Sequence, residues 1–89
     1  MTERSDEYIV GRLIERSRLL IALSEEIPVE TKLQTQPLLK QLEQALAQPP
    51  DEQDPERIRG TYAALYGELE GYADLEALLS ALKNFVPCL

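Results

Sequence analysis

"IRGTYAALYGELEGYADLEALLSAL", residues 58–82, decides how many helices this chain forms. Ile58, Tyr62, Leu65, Leu69 and Tyr72 recur at intervals of three and four, which lays them along one face of a helix. Gly60, Ala64, Gly67 and Gly71 line the roughly opposite side as a stripe of small residues. Leu75, Leu78 and Leu82 then continue in the direction of the small stripe, so the apolar face turns around residues 71–74. Either one helix runs through with two buried faces, or Gly71 ends a third helix and Asp74 caps a fourth. The break is preferred, because glycine commonly follows a helix end and aspartate is a good cap. It predicts helices over about 55–71 and 74–84.

Upstream lies "AQPPDEQDPER", residues 47–57, with three prolines and four carboxylates. Asp54 before Pro55 is a helix-start signature: a carboxylate cap, then a residue whose missing N–H costs nothing in the first turn. The acidic, proline-rich connector therefore spans about 48–55 and is read as a joint. A calcium loop would need a central glycine that is absent here. Before it, Leu38, Leu39, Leu42, Ala45 and Leu46 mark a second helix over 36–48, with Thr35 or Gln36 as cap and Pro37 in its first turn. Residues 28–35, "PVETKLQT", read as a connector. Ile9, Val10, Leu13, Ile14, Leu20, Ile21 and Ile27, with Ser17 and Ser24 on the same stripe, mark a first helix over 6–27, capped by Ser5 or Asp6 and ended by Pro28.

No two-residue alternation and no hairpin dipeptide occurs, so the fold class is all-α: a single domain over 1–89, a small antiparallel bundle of three or four helices. Eighty-nine residues bury a limited share of the unfolded surface, and self-association as a homodimer is expected to complete the core. The longest apolar run, Leu19 to Leu23, is too short to span a bilayer, which makes a membrane partner unexpected. A lone cysteine, Cys88, cannot close an intrachain disulfide, and a cytoplasmic location is expected. In the tail, Phe85, Val86, Cys88 and Leu89 read as apolar packing.

Chemistry is sparse. With no histidine there is no Ser-His or Cys-His arrangement and no histidine metal ligand. No glycine-rich phosphate loop and no Cys-x-x-Cys occurs, so neither an enzyme, a metal nor a cofactor is expected. The net charge of −7, of which residues 41–89 carry −6, disfavours direct nucleic-acid binding. Arg4, Arg12, Arg16 and Arg18 make the first helix the one basic element, facing either acids of the same molecule such as Glu68, Glu70, Asp74 and Glu76 or an anionic partner.

The function these features imply is that of a non-catalytic protein-interaction module, an adaptor or regulatory subunit. Tyr62, Leu65, Tyr66, Leu69 and Tyr72 are its candidate anchors, with Arg12 and Arg16 steering charge. Gly60, Ala64, Gly67 and Gly71 are candidates for close helix packing, within the chain or between copies. Two alternatives are an acidic inhibitor imitating nucleic-acid charge and a bundle that holds a small molecule or lipid in its core.

Overall fold

The computed structural model describes residues 2–49, 51–86 and 89, and the backbone alone over 2–7. Four helices follow one another, α1 Thr2–Leu23, α2 Val29–Ala47, α3 Pro55–Leu69 and α4 Ala73–Phe85, and among the described residues there is no strand. Cys88 lies outside the described residues.

The break between α3 and α4 is real, and its chemistry is local. Gly71 adopts φ 98°, a left-handed conformation that suits a residue without Cβ, and Tyr72 N donates to Leu69 O at 3.2 Å. The N-cap of α4 is Tyr72 rather than Asp74, which sits in the first turn. Its side chain makes no capping hydrogen bond; instead Glu76 reaches back, and Gly71 N donates to Glu76 Oε2 at 3.2 Å. α3 starts as expected, with Pro55 at its head and Asp54 Oδ1 accepting from Glu56 N at 3.1 Å and Arg57 N at 3.4 Å. The connector before it is a tight turn, in which Glu52 N donates to Pro49 O at 2.8 Å. Gln53 Nε2 donates to Leu46 O and Gln48 O, covering carbonyls left open at the end of α2.

The beginning of α2 corrects the sequence reading. Residues 29–35 are helical, so Pro37 lies inside the helix and Thr35 is a buried helical residue, not a cap. Thr35 Oγ1 donates to Thr31 O at 2.8 Å, which satisfies the hydroxyl within its own helix. An interior proline costs about 3 kcal/mol in helix propensity, but its ring here faces solvent, where the helix can bend away from it. α1 ends at Leu23, earlier than expected, because Ser24 Oγ accepts from Glu26 N and Ile27 N and takes those amides out of helical register. At its other end the helix includes Ser5 and Asp6, so neither is the cap. Lys32 Nζ donates to Ala22 O at 3.2 Å and places a cation at the end of α1, where the dipole favours one.

Each helix packs against two neighbours, α1 on α2 and α4, α3 on α2 and α4, giving a square four-helix bundle. Cross-links fix its direction. Arg18 reaches Glu43 at 3.4 Å between α1 and α2, the Gln34 amide turned to donate meets Glu68 Oε1 at 2.7 Å between α2 and α3, and Tyr62 Oη donates to Leu79 O at 2.6 Å between α3 and α4. Gln34, early in α2, meets Glu68 at the end of α3, and Lys32, early in α2, reaches Ala22 at the end of α1, so α2 runs antiparallel to both. Ile14, Ile21, Leu39, Leu42, Ile58, Leu65, Leu69, Leu79 and Leu82 fill the centre. Ser17 joins them with its hydroxyl donating to Leu13 O at 2.8 Å. Val86 is buried beyond the end of α4, and Phe85 and Leu89 are half-buried beside it.

Candidate functional site

α1 has two faces of different character. Val10, Leu13, Ile14, Ser17, Leu20 and Ile21 turn toward the bundle. Tyr8, Arg12, Glu15, Leu19 and Ala22 recur at intervals of four, three, four and three on the opposite side, and all five face solvent. Tyr8 is 66%, Leu19 51% and Leu23 78% exposed, and Val29 and Leu33 of α2 are each 69% exposed just beyond the α1–α2 turn. All the large apolar side chains that stand in water among the described residues are on these two helices. Single exposed apolar residues are ordinary; several in register along one helix mark a surface that can be covered.

The charges on this face are only partly engaged. Arg12 lies over the Tyr8 ring, its guanidinium carbon 6.0 Å from the centroid. Glu15 accepts from Arg18 through Oε2 at 2.8 Å. Neither Arg12 nor Arg16 forms an ion pair with a described residue, so the expected pairing with Glu68, Glu70, Asp74 or Glu76 does not occur: those acids belong to the far side of the bundle or its end.

The anchors expected on α3 are placed differently. Leu65 and Leu69 are completely buried and Tyr62 nearly so, so the protein's own core uses them and they have no surface to offer. The spacing that singled them out is the spacing of a core stripe. Tyr66 and Tyr72 are half-buried; the Tyr66 hydroxyl donates to Glu76 Oε1 at 3.3 Å, and the two rings of Tyr62 and Tyr66 lie 6.2 Å apart. Burial, with Tyr66 alongside, pushes the Tyr62 phenol above its ordinary value of 10.0. Tyr66 is also raised, chiefly by the negative charge of Glu76. Gly60, Ala64, Gly67 and Gly71 face solvent, and a Cβ built at any of the three glycines meets no atom within 4 Å, so the stripe does no close packing within the chain.

The acids are gathered at the ends of the bundle. In α1, Glu3, Asp6, Glu7 and Glu15 balance the four arginines, so the helix is neutral, not basic as its arginines alone implied. α2 and α3 are neutral as well, whereas Glu25 and Glu26, then Asp51, Glu52 and Asp54, then Glu70 lie in the connectors. Among the described residues no group of three or more Asp, Glu, Cys or His side chains could hold a metal ion. A shallow groove of about 500 Å³ runs between α3 and α4 past Arg59, Tyr66, Ser80 and Lys83. It lies open on the surface, outside the filled centre. Among the described residues no helix is long and apolar enough to cross a membrane.

Tyr8, Val29 and Leu33 were not singled out in the sequence, although Leu19 and Leu23 share a side with Arg12 and Arg16. The signal is present: at 100° per residue Tyr8 falls opposite the buried stripe of α1. Compared with known proteins, the chain matches no family model, no curated protein and no solved structure.

Proposed function

We propose that this chain is a non-catalytic, cytoplasmic protein-interaction module that docks through the outer face of α1 and the adjoining start of α2. The observation that carries the reading is the confinement of exposed large apolar side chains, Tyr8, Leu19, Leu23, Val29 and Leu33, to these two helices. Covering them removes apolar area from water, and Arg12 and Arg16 at the same face orient an approaching partner. The alternative of a nucleic-acid mimic has less support, because the acids cluster at two ends of the bundle instead of forming a continuous strip. A ligand-holding core has less support too, since large apolar side chains occupy the centre.

The test is capture of a stoichiometric partner from the native host by the tagged chain, at low and high salt. Capture by the wild type is expected to survive high salt and to be lost by Leu23→Asp, while Tyr66→Asp, on the opposite pair of helices, retains it. A partner held equally by Leu23→Asp, or released as salt rises, would remove the apolar face from the mechanism.

A further inference from the structure

Tyr8, Arg12, Glu15, Leu19 and Ala22 carry more than exposure: their four-three-four-three spacing is that of the positions along which two helices meet side by side, with the charged Arg12 and Glu15 standing where a coiled coil has apolar residues. Which helix can pair with them is constrained by charge. A parallel copy of α1 would set Arg12 against Arg12 and Glu15 against Glu15. An antiparallel copy, turned about a two-fold axis at the level of residues 13 and 14, sets Arg12 against the other copy's Glu15 on both sides of the axis. The same register lays Tyr8 over the other copy's Leu19, so two ion pairs lie inside two apolar contacts. Sliding one copy by a heptad puts Arg12 beside Tyr8 or Ala22 and makes no ion pair between seam residues.

We infer that the occupant of this face is a second copy of the chain, with the two α1 helices packed antiparallel in an isologous dimer. The inference rests on the docking reading above and names its partner. The distribution of charge favours it: each monomer is −7 overall, but α1 is neutral and the excess acid lies in the connectors and α4, so the helix that pairs carries no net charge of its own. Glu15 keeps Oε1 available, since its bond to Arg18 uses Oε2. Arg12 can lean from the Tyr8 ring toward the neighbouring carboxylate without leaving the seam.

Sedimentation equilibrium of the full chain tests this between about 10 and about 500 µM, the range in which a small, reversible interface associates. The wild type is expected to approach twice its 10.1 kDa mass as concentration rises. Arg12→Glu and Glu15→Arg, each made alone, turn two attractions into two repulsions and weaken the dimer about tenfold. Combining them in one chain restores opposite charges across the axis and returns the dissociation constant to near the wild-type value. Leu19→Asp remains monomeric, and thermal melts confirm that every variant folds. A wild type that is monomeric throughout, or a double variant no better than its parents, overturns the inference. If the wild type is monomeric while Leu23→Asp still abolishes capture of an unlike protein, the docking face stands and self-pairing falls; if both fail, the docking reading falls with it.

Discussion

Tyr62 joins α3 to α4 through a hydroxyl whose donation to Leu79 O requires that it keep its proton. Burial raises its pKa above 10.0, which means the folded state favours the protonated phenol. The stability it contributes is therefore complete below about pH 10 and is lost as pH rises through the higher folded-state value. Tyr62→Phe should cost about 1 kcal/mol at neutral pH, the usual worth of one buried hydrogen bond, and should flatten the alkaline limb of the stability curve. Denaturant melts of both proteins from pH 7 to above about pH 10 check this; parallel limbs would show that the phenol is not responsible.

Glycine at residues 60 and 67 makes a second case at this scale. Both stand in helical backbone with nothing within 4 Å of a built Cβ, so Gly60→Ala and Gly67→Ala should each stabilise the fold by about 0.5–1 kcal/mol. For a domain of this size that is roughly 2–8 °C in melting temperature, readable by circular dichroism. Gly71→Ala should do the opposite, because φ 98° is strained for any residue with a Cβ. A loss at Gly60 or Gly67 would mean that these positions are covered by something.

At the scale of elements, α2 forms against its own sequence. Pro37 lacks the amide that Leu33 O would accept, yet Leu39 and Leu42 after it and Thr35 before it are all buried against the bundle. Packing on both sides of the proline outweighs its local cost. Pro37→Ala should therefore stabilise the protein by about 2 kcal/mol, the propensity difference less the gain in unfolded-chain entropy, and denaturant midpoints would show it. No change would mean that the proline's restriction of the unfolded chain offsets its cost in the helix. The same element explains why its first two turns could not be read from periodicity. Val29 and Leu33, the apolar residues there, point to water, and the one fully buried residue, Thr35, is polar. By contrast α3 announced itself twice, by the Asp54-Pro55 start and by the stripe through Ile58, Tyr62, Leu65 and Leu69.

At the scale of the molecule, four neutral or nearly neutral helices stand with acidic turns at both ends. That arrangement concentrates self-repulsion away from the flanks, and it leaves the outer side of α1 and the start of α2 as the place where large apolar side chains remain in water among the described residues. The amino-acid sequence by itself determined the helical class, a break near Gly71, the cap that starts α3, and the want of histidine and phosphate-loop chemistry. Those follow from local effects: the spacing of apolar residues, backbone freedom at Gly71 and hydrogen bonding by Asp54. Tertiary structure alone decided which apolar stripe is core and which is surface. Tyr62, Leu65 and Leu69 on α3 and Tyr8, Leu19 and Leu23 on α1 have similar helical spacing, and only the packing of α3 between α2 and α4 closes the first set while leaving the second open. Periodicity identifies a face, but burial depends on whether another helix is there to cover it.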